Sequence, residues 1–266
     1  MRDHPLARLL LRGTTVLVLG FLMAPMLAVV VLSFSPTELM VLPPRGFSLR
    51  WYEDFLTAGR WVLATRNSFV VAIATTILAT PLGTAAAIGL QLGRFRGKAL
   101  LVTLLTLPLV TPYIVTAASM YFAYSLAGLS GSLLGLVLGH TVVAVPFVVM
   151  AVLATLQTFD ANLLRAAASL GAAPLPAILR VVVPNTWPGI AAGAVFAFAT
   201  SLDEFVITLF LAGPGQFTLP RQMYASVREF LTPTILAAAT LLFLCSLIFL
   251  LVSEALRLRA ARKVVR

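Results

Sequence analysis

Two adjacent carboxylates interrupt a long apolar stretch of the sequence, in the run Ser201-Leu202-Asp203-Glu204. A carboxylate inside a bilayer costs roughly 2.5–3.5 kcal/mol on insertion scales, so it usually lines a watery pathway or meets a charged partner. Neighbouring residues on a helix point about 100° apart, so one acid can face a pathway while the other binds a neighbouring helix or the backbone. The group Ser201, Asp203 and Glu204 therefore indicates either a site for a passing cation or a set of hydrogen bonds between helices.

A cation in such a pathway can also be bound by aromatic rings, because the face of a ring attracts positive charge. Tyr113 and Tyr121 lie in another apolar stretch, and we expect them either to contact the solute or to pack between helices. Pro108 and Pro112 lie just before them, and each proline removes a helical hydrogen bond. The sequence therefore predicts a bend in this stretch.

A less apolar segment between the fourth and fifth apolar stretches predicts a helix outside the bilayer. Asp160 is a suitable N-cap, and Gly171 can adopt the left-handed conformation that ends a helix. Between them, Leu163, Ala167 and Leu170 recur at helical spacing on one face. A helix of about ten residues is not stable alone in water, so it needs a surface to bind. The residues alone leave two surfaces open, a partner protein and the membrane interface.

The composition indicates that these features belong to a membrane protein. Hydrophobic residues make up 60% of the chain and charged residues 11%, whereas a soluble domain carries about 25% charged residues. Helices are expected to cross the bilayer because each helix satisfies its own backbone polar groups. We therefore predict an all-α polytopic membrane protein with one transmembrane domain over residues 1–266. Its six predicted spans cover residues 14–34, 67–92, 100–125, 133–156, 189–212 and 233–256, with the docking segment at 157–188.

The distribution of basic residues predicts the orientation. Most of the 19 Lys and Arg residues lie on the side that holds both termini and the docking segment. Short basic loops stay in the cytoplasm, so this side is predicted to be cytoplasmic. The basic residues are dispersed and are not interleaved with aromatic residues. They therefore favour contact with membrane lipid over binding of nucleic acid.

Several kinds of chemistry are disfavoured by the sequence. Cys245 is the only cysteine, and the two histidines form no cluster with metal-ligand spacing. The chain contains no Gly-rich phosphate loop, so we do not expect it to bind ATP. His140 is predicted to be a hydrogen-bonded packing residue within a span. An intramembrane serine protease using Ser130 and His140 is an alternative, but ten residues of one helix would separate the two side chains by roughly 15 Å.

Four elements of the docking segment and of the span that follows are typical of one family: Ala166-Ala167, Gly171, Val183-Pro184 and Pro188-Gly189-Ile190. Together they resemble the cytoplasmic "EAA" loop of binding-protein-dependent ABC importer permeases. The resemblance implies that the short helix contacts a cytoplasmic ATPase and transmits its movement to the pore. The residues implied in this coupling are Leu163, Leu164, Arg165, Ala166, Ala167, Leu170 and Gly171. Arg165 stands where the family usually has Glu, so an ion pair made by that acid would be absent or reversed.

The residues that follow the acid pair limit the resemblance to one kind of subunit within this family. The run Ser201 to Glu204 is followed by Gly213-Pro214-Gly215, Thr218-Leu219-Pro220 and Ser226-Val227-Arg228. This succession resembles the second permease subunit of spermidine/putrescine-type importers. The resemblance implies a small, polyamine-like cation as the solute, and carboxylates in a passage of low dielectric suit a polycation. Relatives of this kind also serve other small solutes, so the acid pair favours a cation without naming it.

The same resemblance implies a bacterial cytoplasmic membrane protein with several partners. These are a second permease subunit, two copies of an ATPase that bind ATP and Mg, and an external solute-binding protein. The chain itself is then neither an enzyme nor a cofactor-binding protein. The solute-binding protein is expected to contact the outer loops at 48–56 and 213–232. A secondary transporter that uses Asp203 or Glu204 as a proton site is the alternative, and it would run on an ion gradient without ATP.

Overall fold

The computed structural model describes the backbone of residues 5–229 and 232–264, and the side chains of 11–228, 232–249 and 251. All the regular structure in these ranges is helical, as the composition predicts. The helices are α1 (Pro5–Leu32), α2 (Arg50–Thr57), α3 (Gly59–Leu92), α4 (Lys98–Val110), α5 (Tyr113–Leu126), α6 (Leu133–Leu156), α7 (Asn162–Ser169), α8 (Pro174–Ala177), α9 (Val183–Asp203), α10 (Val206–Leu211), α11 (Leu219–Glu229) and α12 (Thr234–Val264).

Four stretches of helix in the described part of the chain are long and apolar enough to cross a membrane: Leu11–Leu32, Gly59–Leu92, Leu133–Leu156 and Pro174–Asp203. Helices α4 and α5 together make a fifth candidate, bent by 104°. The bend lies at Thr111 and Pro112, so the predicted bend is confirmed. Thr111 is extended because the ring of a following proline excludes the helical conformation.

The fifth predicted span is not the single helix over 189–212 that hydropathy predicts. Helix α9 begins earlier, at Val183, and ends at Asp203. Glu204 is extended, with φ −70° and ψ 118°, and α10 begins at Val206. The break is possible within an apolar segment because the Glu204 carboxylate accepts the N–H of Ile207, at a distance of 2.8 Å. That bond satisfies one of the backbone donors that a helix start leaves open.

The docking segment is more helical than predicted. A π-helical turn over Ile178–Val182 joins α8 to α9, so that the chain from Pro174 to Asp203 forms one nearly continuous helix. Pro184 fits because it lies in the first turn of α9, where a missing N–H costs little. Only α7 and its flanking turns remain separate from the span, which makes α7 the part of the segment that is free to contact a partner.

The sixth predicted span corresponds to α12, whose described apolar part is Thr234–Phe249. The basic residues that predicted the orientation at the two ends of the chain, Arg2 and Arg8 at one end and those beyond residue 256 at the other, lie outside the described side chains.

The chain forms two compact units. The first comprises Met1–Val62 and Met223–Cys245, and the second Leu63–Gln222 and Ser246–Arg266. Within the first unit, the Trp51 indole N–H donates to the Ser35 carbonyl at 2.7 Å, and the Thr234 hydroxyl donates to the Asp54 carboxylate at 2.7 Å. These bonds attach α2 to the end of α1 and to the start of α12.

The second unit is built around the packing of α6 on α9. Val148 and Val152 on α6 and Ile190 and Ala197 on α9 belong to one buried cluster. The two helices approach closely where α9 carries glycine. A methyl group on Gly189 would overlap the Thr155 side chain and would lie 2.9 Å from the Ala151 carbonyl oxygen. This close contact fixes the position of α9, the helix that ends at the acid pair, against α6.

We expect Gly189→Ala to lower the melting temperature of the purified protein, because overpacking a close helix contact costs about 1–3 kcal/mol. The matched control is Gly89→Ala, where a methyl group meets nothing within 4 Å. Thermal unfolding in detergent measures both variants. Equal melting temperatures would show that α6 and α9 do not pack as closely as described.

Candidate functional site

The break between α9 and α10 presents the two carboxylates differently. Asp203 is the last residue of α9, and its side chain is exposed. Glu204 is only 6% exposed, because its carboxylate turns back to the N–H of Ile207. One acid is therefore exposed at the break, while the other stabilises the start of α10.

His140, on α6, connects the helices on the two sides of the break. Its ring is fully buried, with Nδ1 2.8 Å from Ser201 Oγ and Nε2 3.0 Å from Thr208 Oγ1. The prediction that His140 is a hydrogen-bonded packing residue is confirmed. Ser201, predicted to line the path, is only 3% exposed and is bonded to this ring. No motif in the sequence indicates these partners.

The protease alternative is not supported by the geometry. The Ser130 hydroxyl bonds to the Ser125 hydroxyl at 3.0 Å. The ring nitrogens of His140 bond to residues of α9 and α10. Ser130 and His140 are therefore not paired with each other, so this histidine does not activate Ser130 as the alternative requires.

The two tyrosines that were predicted to bind a cation differ in position. Tyr113 is half-buried and packs on the cluster that contains Ile207 and Leu211 of α10. Tyr121 lies two turns further along α5 and is 42% exposed, with its ring edge-on to Phe122 at 5.9 Å. The structure thus brings Tyr113 to the break, whereas Tyr121 lies on an open side of α5.

The segment that follows α10 is attached to α3 by two buried polar side chains. Asn67 Nδ2 donates to the carbonyls of Gly215 and Phe217, at 3.0 and 3.1 Å. The Ser68 hydroxyl accepts the N–H of Leu219 at 2.7 Å. The chain is therefore anchored on both sides of α10, by α6 before it and by α3 after it.

The docking helix α7 is terminated by Gly171 as the sequence predicts, but it has eight residues instead of about ten, and Ala161 takes the N-cap position predicted for Asp160. The Asp160 carboxylate accepts the N–H of Asn162 at 2.9 Å, at the first residue of the helix. Gly171 is left-handed, with φ 82°. The N–H groups of Gly171 and Ala172 donate to the carbonyls of Ala168 and Ala167, each at 3.0 Å. These two bonds form a Schellman motif, which fixes the direction in which the chain leaves the helix.

The two faces of α7 have different surroundings. Leu164 and Ala168 face the rest of the second unit and line a cavity of about 270 Å³ together with Leu92 and Ile178. The opposite face is open, and its leucines are 42% exposed at position 163 and 88% exposed at position 170. Arg165, Ala166 and Gly171 are exposed as well, and Ala167 is partly exposed. An open apolar face on so short a helix is typical of a contact with a partner protein or with a membrane.

Comparison with known proteins places the chain among transport proteins. Residues 79–266 match the family described as binding-protein-dependent transport system inner membrane component. The spermidine/putrescine transport system permease protein PotC of Escherichia coli (strain K12) is 30% identical over 249 residues, which are 94% of each chain. The putrescine transport system permease protein PotI of the same strain is 36% identical over 236 residues, 85% of this chain and 84% of PotI.

A solved structure has the same fold. It is a bacterial alginate ABC transporter in complex with an alginate pentasaccharide-bound periplasmic protein, and one of its chains superposes with a TM-score of 0.73 at 16% identity. The alignment covers 96% of this chain and 94% of the other. These matches favour an ATP-driven importer over an ion-gradient-driven transporter. A binding-protein-dependent system contains a solute-binding protein, which is therefore a partner of this inner membrane protein. The chain therefore belongs to the inner membrane components of binding-protein-dependent transport systems, and it is a non-catalytic permease subunit of an importer.

Proposed function

We propose that this permease imports a polyamine-like cation and that Asp203 faces the path of the solute. The observation that carries the proposal is the exposed carboxylate at the break between α9 and α10, in a chain similar to two polyamine permeases. Ser201 and Glu204 belong to the same site, but their polar groups bond to the protein and shape the break.

The charge of Asp203 suits such a solute. Two opposite unit charges 4 Å apart attract by about 4 kcal/mol at an effective dielectric constant of 20. A polyamine carries several ammonium groups on a flexible apolar chain, so it can meet a carboxylate and an aromatic face at the same time. Tyr113 and Tyr121 are the proposed aromatic contacts, each through a cation–π interaction. Tyr113 is the better placed of the two, because it packs beside α10.

We further propose that residues 1–266 form one permease domain with six spans and with both termini in the cytoplasm. The bent pair α4 and α5 counts as the third span, and α9 with α10 as the fifth. The apolar part of α12 begins the sixth span. The basic turn that contains Arg94, Arg96 and Lys98 is then cytoplasmic, as the positive-inside rule requires.

The proposed coupling site is the open face of α7. Leu163, Ala167 and Leu170 would contact a groove of the ATPase, with Arg165 and Ala166 beside them. Leu164 packs on the buried cluster between α6 and α9, so a displacement of α7 would be transmitted to the spans. Two ATPase copies would bind ATP and Mg, while this chain binds neither. Such coupling requires that ATP and the solute favour different arrangements of the spans.

The proposed function is tested with the complex of both permeases, the ATPase and the solute-binding protein in proteoliposomes. We expect uptake of labelled spermidine or putrescine only when ATP is supplied on the side of the membrane that carries the ATPase. This uptake should persist when ionophores remove ion gradients. An alginate oligosaccharide, the ligand of the structurally similar transporter, serves as the comparison solute. An assembled complex that hydrolyses ATP but imports neither polyamine would exclude the proposed solute.

A further inference from the structure

The hydrogen bonds of His140 join three separate helices at the break. The Ser201 hydroxyl belongs to α9 and the Thr208 hydroxyl to α10, and the ring between them belongs to α6. One neutral tautomer satisfies all of these groups. In it the Ser201 hydroxyl donates to Nδ1, and Nε2–H donates to Thr208 Oγ1. The Thr208 hydroxyl is then free to donate to the Glu204 carbonyl, 3.4 Å away.

Helix α10 depends on such contacts for its position. It has six residues, too few for a helix that persists by itself. It lies close to α6 at Gly139, where a methyl group would be 3.0 Å from both Ile207 and Leu211. Apolar contacts of this kind permit small rotations, whereas a hydrogen bond specifies direction. The bond to Thr208 is therefore the contact that sets the rotation of α10 relative to α6.

We infer that His140 is a positioning residue for the transport path. By bonding to α9 two residues before Asp203 and to α10 five residues after it, the ring holds the break in one geometry. In that geometry Asp203 is exposed and Glu204 is turned inward. A fully satisfied buried network favours one arrangement over its alternatives. The identity of the solute rests on the proposed function, but the geometry that His140 maintains does not.

The geometry can be measured without a solute. In a chain with Cys245→Ser, Asp203→Cys supplies the single reactive thiol, and a trimethylammonium methanethiosulfonate reports its accessibility in the assembled complex. His140→Leu removes both bonds, and His140→Gln can retain the bond to Thr208. Thr141→Val is the matched control, since the Thr141 hydroxyl bonds to the Val137 carbonyl in its own helix. We expect His140→Leu to change the labelling rate by at least about three- to tenfold, the ratio that corresponds to one of the two lost hydrogen bonds.

The same variants are then compared in transport, with Asp203 intact. We expect His140→Leu to raise the apparent KM for spermidine about three- to tenfold, while assembly and basal ATP hydrolysis stay unchanged. His140→Gln should fall between the wild type and His140→Leu. If His140→Leu does not assemble, Thr208→Val removes one of the two bonds without a change of shape, and it should shift both readouts in the same direction.

The possible outcomes separate the two proposals. Equal labelling rates and equal KM values for His140→Leu and Thr141→Val would overturn the positioning role, whether or not polyamines are transported. Labelling that depends on His140 in a complex that imports no polyamine would support the positioning role and reject the solute. A KM shift without a labelling change would also overturn it, because the role requires that the break itself is altered.

Discussion

Replacing Asp203 by asparagine is expected to reduce ATP-driven polyamine uptake by about 10–100-fold while the complex still assembles. A hydrogen bond to a charged group contributes about 1.5–3 kcal/mol, which corresponds to that range. Asparagine keeps the shape of the side chain but not its charge. Because Asp203 is exposed at the end of α9, its replacement leaves no buried partner unpaired. Initial rates of labelled spermidine uptake into proteoliposomes measure the effect.

A matched control for the lost charge is Glu38→Gln. The Glu38 carboxylate is 79% exposed and lies 3.9 Å from the Arg50 guanidinium, so its ion pair contributes little. We expect Glu38→Gln to transport at the wild-type rate and Asp203→Glu to retain part of the uptake. Wild-type uptake by Asp203→Asn would mean that the solute does not bind this carboxylate. An equal loss in Glu38→Gln would point to the overall charge of the protein instead.

Introducing charge on the open face of α7 is expected to uncouple the permease from its ATPase. Burying one leucine contributes about 1.5–3 kcal/mol, so Leu170→Glu alone should weaken the contact about 10–100-fold. Leu170 is 88% exposed, and the substitution therefore leaves the fold of the second unit intact. The double variant Leu163→Glu, Leu170→Glu should release the ATPase on size-exclusion chromatography and abolish solute-stimulated ATP hydrolysis.

The control for this prediction is the same leucine-to-glutamate change in a loop that the proposed topology places on the outer side of the membrane. Leu39 is 72% exposed, in the loop that follows α1, and Leu39→Glu should leave ATPase binding unchanged. If both α7 variants retain full coupling, then α7 rests on the membrane interface, which was the second possibility that the sequence left open. Arg165→Glu in the same assay shows whether the basic residue at this position weakens or supports the contact.

The ends of α7 could be predicted from the sequence because they depend on neighbouring residues. A carboxylate two residues before a helix and a glycine just after it act through local bonds, and the structure contains both. The bend between α4 and α5 was predictable for the same reason, since Pro112 restricts Thr111 directly. The family resemblance rested on residues of these same local elements.

The break between α9 and α10 could not be predicted by hydropathy, because the residues on both sides are apolar. What allows it is the bond of Glu204 to the backbone and the bonds of His140 to residues 61 and 68 positions away in the chain. A pattern read along one helix carries no information on such partners. For this reason Ser201 was grouped with the solute-facing residues, although its hydroxyl bonds to a buried ring.

The most direct test of the proposed path is cross-linking by a photoreactive spermidine during ATP-driven turnover of the complete complex. We expect this chain to be labelled next to Asp203 or on the neighbouring part of α5 near Tyr113. We also expect excess spermidine to prevent the labelling and Asp203→Asn to reduce it strongly. Labelling that spermidine does not prevent, or labelling of the partner permease alone in a complex that is importing spermidine, would contradict a path past Asp203.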